Sequence, residues 1–173
     1  MESNRYFKPL DLALKLGNDF LETLDTTPVG VRSSYSELKS LWDWNLPVEG
    51  KAPEEVIEEL NRCALPGLNH NQSGRFFAWV IGGSHPSAIA ADWLTSVWDQ
   101  NAGLYNCTPS SGIVEEICGG WLKTLLNIPE QASFAFVTGC QMANFTCLNA
   151  ARNHLFNNAG WNIETQGFYG APL

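Results

Sequence analysis

The run Thr138-Gly139-Cys140-Gln141-Met142-Ala143-Asn144 carries the clearest chemical pattern in this 173-residue chain. A glycine set between an apolar run and a helical pattern makes a tight turn. The first backbone N–H groups of the helix beyond it have no intrahelical acceptor. Donors of that kind hold an anion, and the helix dipole adds about 0.3–1 kcal/mol for a charged partner. A phosphate could thus bind at this turn, although a strand–Gly–helix turn that holds no ligand is common. A second chemistry makes Cys140 a nucleophile whose thiol the helix N-terminus activates. That reading needs a base, and His154 lies fourteen residues further along the same helix, roughly 20 Å away at 1.5 Å per residue. His70 and His85 would reach Cys140 only through tertiary folding.

The elements that must position this turn follow from hydrophobic periodicity. Residues 133–138, SFAFVT, form a short apolar run that reads as a strand buried on both faces, as in a parallel sheet covered by helices. Met142, Phe145, Leu148, Ala151 and Leu155 then recur at helical spacing until Asn157-Asn158-Ala159-Gly160 stops them. Upstream, a helix is expected from about residue 110 to 126, burying Ile113, Val114, Ile117, Trp121, Leu122 and Leu125. Ser84-His85-Pro86 reads as the entry to another helix, with Ile89, Trp93, Leu94, Val97 and Trp98 on one face. The first 65 residues read as polar helices with an irregular stretch between them. Leu10, Ala13, Leu14, Leu21 and Leu24 mark the first helix, and Pro53 followed by four glutamates marks the start of a later one. Trp161-Asn162-Ile163 could begin a second strand. One strand–turn–helix unit is too little for a parallel sheet, so the chain reads as the front of a larger protein.

Composition narrows the function classes. Ten Lys and Arg against 18 Asp and Glu give a formal charge of −8, which argues against nucleic acid or an anionic membrane as the main partner. No apolar run approaches the ~18–20 residues that cross a bilayer. The polar first eight residues lead into no secretory h-region, which with the cysteine usage predicts a cytoplasmic protein. The five cysteines, at 63, 107, 118, 140 and 147, form no CxxC pair, and the three histidines are scattered. Zinc or another metal is therefore not expected, and the thiols read as reduced and buried.

The stretch RFFAWVIGGSHPSAIAADWLTSVWDQNAGLYNCTPSSGIVEEICGGWLKTLL, followed by FAFVTGCQMANFTCLNAAR, resembles the group II pyridoxal-phosphate-dependent amino-acid decarboxylases, which include the aromatic-L-amino-acid and glutamate decarboxylases. The resemblance spans residues 76–152. It rests on the order of a Phe-Phe-Ala segment, an Ala-Asp-Trp-Leu helix, Thr108-Pro109, the Glu115-Glu116 helix and the glycine turn. It implies an α/β fold: an N-terminal helical, dimer-forming segment over residues 1–69, then the incomplete start of a type I pyridoxal-phosphate transferase large domain over residues 70–173. It further implies pyridoxal 5′-phosphate as cofactor, its phosphate held at Gly139, Cys140 and Gln141. A small-molecule amino acid is the implied substrate, with Trp79 and Gly82 where relatives line the substrate pocket. The full-length protein is expected to be a homodimer, with residues 101–105 resembling a stretch that reaches the neighbouring subunit's site. Many members carry small hydroxyl residues where Cys140 and Gln141 stand, so only backbone donors and the Gln141 amide carry over.

The family's Schiff-base lysine lies downstream of the phosphate turn. The five lysines here, Lys8, Lys15, Lys39, Lys51 and Lys123, all precede it. No catalytic residue is therefore assigned, and the chain alone is expected to be inactive. The reading from another class is a truncated, non-catalytic module that acts by dimerisation or by pairing with a relative, because apolar surface meant for a missing sheet would be exposed.

Overall fold

Five helices of this chain start at a proline or a capping side chain. In the computed structural model, which describes residues 4–172, seven α-helices follow one another among the described residues: α1 (Asn4–Glu22), α2 (Tyr35–Leu41), α3 (Pro53–Ala64), α4 (Pro86–Trp98), α5 (Pro109–Leu125), α6 (Cys140–Asn158) and α7 (Ile163–Gln166). Proline is the first residue of α3, α4 and α5, where its missing N–H costs nothing and its fixed φ suits the helix. α2 lies in the stretch expected to be irregular. Ser34 and Glu37 cap it reciprocally: the Ser34 N–H donates to Glu37 Oε2 at 2.7 Å and the Glu37 N–H donates to Ser34 Oγ at 3.3 Å. The Ser-x-x-Glu spacing is the signature of that box and was legible in the sequence.

The chain divides into two units, one ending at Val97 and the other starting at Trp98. In the first, α1 packs on α3, and Gly17 of α1 faces the ring of Trp93 on α4, which a Cβ would meet at 3.6 Å. A groove of about 590 Å³ lies there, lined by Leu14, Leu21, Ile89 and Trp93 among others. Polar groups around the buried His70 and Ser73 tie residues 69–75 to the segment after α1. His70, 6% exposed, stacks on Phe20 at 4.8 Å and gives its N–H to the Val29 carbonyl. The Val31 N–H donates to Asn69 Oδ1. Arg75 donates from Nη2 to the Leu24 and Thr27 carbonyls at 2.8 and 2.7 Å. Cys63 is buried and reaches the Leu41 carbonyl.

In the second unit, α5 leads through a turn to residues 133–137 and then to α6, with α7 against α6. Three expectations fail here. No strand occurs among the described residues, and residues 133–138 are unpaired. A strand exists through its ladder, and no other described segment supplies one. Residues 161–163 begin no strand either: Asn162 caps α7, its Oδ1 accepting the Glu164 and Thr165 N–H groups. The α5 residues expected in a core are exposed, Trp121 at 66% and Leu125 at 78%, because nothing in the unit covers that face. The thiols depart similarly. All five are free, Cys63 is buried, Cys118 is half-buried, and Cys107, Cys140 and Cys147 are exposed.

Candidate functional site

Gly139 sits at φ 111°, ψ 175°, a backbone conformation that strongly favours glycine. It turns the chain from the unpaired run into α6 as the helix N-cap. The Gly139 N–H is used by the Val137 carbonyl at 2.8 Å, and the Gly139 carbonyl accepts the Ala143 N–H at 3.0 Å, the first bond of the helix. Between them, the N–H groups of Cys140, Gln141 and Met142 have no protein acceptor among the described residues. No carboxylate occupies the first turn of α6, and a Cβ built on Gly139 would meet nothing within 4 Å. Three free donors at a positive helix end in open space are suited to a phosphate or carboxylate oxygen. Each such bond to a charged acceptor is worth about 1.5–3 kcal/mol.

The turn is approached over a fixed path. Lys123 on α5 donates to the carbonyls of Glu130 and Ala132 at 2.8 and 3.2 Å. Phe134 lies so close to Gly119 that a Cβ there would collide with its ring, and the Phe134 and Phe136 rings meet edge-on at 5.8 Å. These contacts hold the segment before Gly139 against α5. They also occupy the ammonium of Lys123, the one lysine of this unit.

Of the expected site residues, Gly139, Cys140 and Gln141 belong to the second unit, and Trp79 and Gly82 to the first. Trp79 is exposed at φ 60° and is followed by Val80 at φ 45°, two left-handed residues in a row, a strained conformation for a β-branched side chain. The Trp79 ring meets Phe76 at 5.9 Å, and Gly82 stands in open space. In residues 101–105, Asn101 accepts from the Thr108 hydroxyl at 2.9 Å and from the Gly103 N–H at 3.0 Å. The nucleophile reading of Cys140 has one histidine in its unit to draw on. His154, the unit's one histidine, has Nε2 engaged with the Asn158 amide at 3.0 Å. Sequence reasoning missed the third donor, the Met142 N–H, which counting from the glycine would have given. It also missed the Lys123 clamp and Gly119, for which helical spacing carries no signal.

The Pyridoxal-dependent decarboxylase conserved domain matches residues 36–164. The chain is 29% identical over 146 residues to an aromatic-L-amino-acid decarboxylase of Bacillus atrophaeus, covering 84% of this chain and 30% of that protein. It is 27% identical over 169 residues to a 4-hydroxyphenylacetaldehyde synthase of Rhodiola rosea, covering 89% of this chain and 34% of that one. Among solved structures it resembles mouse CSAD, with a TM-score of 0.85 at 20% identity over 99% of this chain and 35% of that one. It also resembles Oryza sativa TDC with PLP and tryptamine, with a TM-score of 0.79 at 20% identity over 93% and 36%. The chain thus spans about a third of the length of these relatives.

Proposed function

The chain belongs to the pyridoxal-dependent decarboxylase family, and from that premise we propose that it is the phosphate-binding portion of an amino-acid carboxy-lyase. In this reading residues 70–173 open a type I large domain of α/β fold, in which residues 133–138 become a strand once other strands flank them. Residues 1–69 are the helical, dimer-forming segment, and the whole protein works as a cytoplasmic homodimer. Pyridoxal 5′-phosphate is the family's cofactor. The observation that carries the proposal is the set of unclaimed N–H groups at Cys140, Gln141 and Met142, which fits a phosphate dianion.

The division of labour follows. The three amides hold the phosphate, and Gly139 shapes the turn so that they converge. Phe134 and Lys123 fix the approach to it. Trp79 supplies apolar area to an amino-acid substrate, and Gly82 leaves room beside it. When bound, the cofactor ring accepts the electron pair left on the substrate's α-carbon as carbon dioxide departs. That chemistry needs an amine on the protein. Lys123 is committed to two carbonyls, and the other four lysines lie upstream of it. The 173-residue chain by itself therefore binds the phosphate and does not turn over.

Two measurements test this. The chain should bind pyridoxine 5′-phosphate, whose alcohol cannot condense with lysine, and should discriminate against pyridoxine. With pyridoxal phosphate and an aromatic amino acid it should release no carbon dioxide. Turnover accompanied by a borohydride-stable lysine adduct would overturn the second half. A second reading, a non-catalytic interaction module, is favoured by the exposed apolar faces of α5 and α6.

A further inference from the structure

We propose that the hollow between residues 27–33 and residues 66–70 binds a small oxoanion, a phosphate or a short carboxylate, through the His70 imidazole, the Arg32 guanidinium and the Ser33 hydroxyl. The inference goes beyond the cofactor reading and stands on the first unit alone. A cavity of about 170 Å³ opens there, lined by Arg32, Ser33, Pro66, Leu68 and His70 among others. Its walls are two segments that bond to each other: the His70 N–H donates to the Val29 carbonyl at 3.0 Å, and the Val31 N–H donates to Asn69 Oδ1 at 3.2 Å. The group that calls for a ligand is the ring of His70. That residue is 6% exposed, and its ring is stacked on Phe20. Its Nδ1 is the one buried side-chain nitrogen or oxygen among the described residues with no hydrogen-bond partner. Buried polar atoms are paired as a rule, and an exception points to a water, an ion or a chemical role.

Charge and size choose the ligand. A neutral imidazole carries its proton on either nitrogen, so Nδ1 can donate. Arg32 donates only. The ion pairs among the described residues are those of Lys8, Lys51 and Arg62, so the Arg32 guanidinium is not spent on a carboxylate. Residues 26–36 and 60–91 contain no acidic side chain, although the protein carries a net charge of −8. Glu37, just beyond the first stretch, has Oε2 taken by the Ser34 N–H and hydroxyl. A set of donors with no carboxylate among them favours an anion over a cation. The planar guanidinium matches the paired oxygens of a phosphate or carboxylate. At roughly 30 Å³ for each water, the cavity has the volume of about five waters, which suits inorganic phosphate or acetate and is too small for a nucleotide. Bound there, the ion fastens the segment after α1 to the turn after α3.

The test is nuclear magnetic resonance of the 173-residue chain, titrated with inorganic phosphate and separately with acetate at fixed pH. Sodium chloride at matched ionic strength is the control. The His70 ring nitrogens and the Gly30 and Arg32 amides should shift saturably with at least one of the two anions. The anion that saturates at the lower concentration identifies the source. Arg32 is exposed, so Arg32→Gln should keep the fold while the dissociation constant rises roughly tenfold or more, as the loss of a charged hydrogen bond requires. In Cys140→Pro the response at His70 should be unchanged, which separates this site from the turn before α6. The absence of a saturable shift with either anion would overturn the proposal, and so would an equal shift with chloride. A water on Nδ1 that neither anion displaces would overturn it too, as would an affinity that Arg32→Gln leaves intact. A response at residues 140–142 with none at His70 would overturn it while leaving the cofactor reading in place.

Discussion

Cys140→Pro removes one donor from the proposed phosphate seat while leaving the helix that carries it. Cys140 is the first residue of α6, the position where proline is best tolerated, since its N–H has no intrahelical partner. Gly139, with ψ 175°, is close to the extended range that a proline asks of its predecessor. The variant should therefore keep its far-ultraviolet helix signal. What it loses is one of three amides facing the anion. A hydrogen bond to a charged group contributes about 1.5–3 kcal/mol, so the dissociation constant for pyridoxine 5′-phosphate should rise roughly tenfold to a hundredfold. Binding of pyridoxine, which has no phosphate, should not change.

Cys140→Ser is the companion variant. It keeps the amide and alters only the thiol, so its affinity should stay within about a factor of two of the parent, since it loses no hydrogen-bond donor. Equilibrium dialysis of the three proteins against both ligands separates the outcomes. Equal affinity of the proline variant and the parent would refute the reasoning, because the amides would then not be the contacts. Loss of binding in Cys140→Ser would move the function from the backbone to the sulfur.

Three further outcomes follow from the geometry. Gly119→Ala drives a methyl into the Phe134 ring, and overpacking of that kind costs about 1–3 kcal/mol against roughly 1 kcal/mol of helix propensity gained; the urea midpoint should fall, and in a Phe134→Ala background the same change should raise it. Arg75→Met keeps the stem but loses the bonds to Leu24 and Thr27, which should cost about 1–3 kcal/mol and speed proteolysis in residues 24–31, with Arg75→Lys recovering part of the loss. The Ser34 backbone and then the Ser34 hydroxyl hold the Glu37 carboxyl below the usual glutamate range. A carboxylate lowered on folding stabilises above its unfolded value, about pH 4.3, and the contribution disappears as pH falls through the lowered folded value. The difference in melting midpoint between wild type and Glu37→Gln should be present at neutral pH and absent in strong acid.

Sequence reading succeeded where the physics is local. The helix starts at Pro53 and Pro86, the helix expected from about residue 110 and the stop near Asn157 are set by proline geometry and by the change of periodicity. The glycine turn before Cys140 was legible for the same reason: a run of β-formers, one glycine and a helical pattern fix it without reference to the rest of the chain. The Ser34–Glu37 box was legible too and went unread. What the sequence did not yield is everything that depends on a partner. The rows SFAFVT and Trp161-Asn162-Ile163 have strand composition, but a ladder is a property of two segments, and the second row is captured instead by the Asn162 cap of α7. Arg75 reaching carbonyls 48 and 51 residues away leaves no periodic trace either.

The exposed faces of α5 and α6 join these observations. A globular protein of 19.1 kDa exposes about 8,400 Å² by the usual scaling, and two separate bodies of about 11 and 8 kDa would together expose about 10,000 Å². The chain exposes 14443 Å², so even the second figure leaves a surplus of about 4,000 Å². A dimer of standard size covers about 800 Å² of each chain, only a fraction of it. The apolar pattern along α5 and α6 therefore encodes burial against something of domain size, and the match to about a third of longer relatives is consistent with that. The same argument separates the phosphate seat from the rest of the proposed chemistry. Free amides at a helix start need no cover to bind an anion. Excluding water from a reacting carboxylate does. Binding without turnover is what the proposed function expects of such a surface, and cover supplied from another polypeptide should protect α5 and α6 from hydrogen exchange before it restores any reaction.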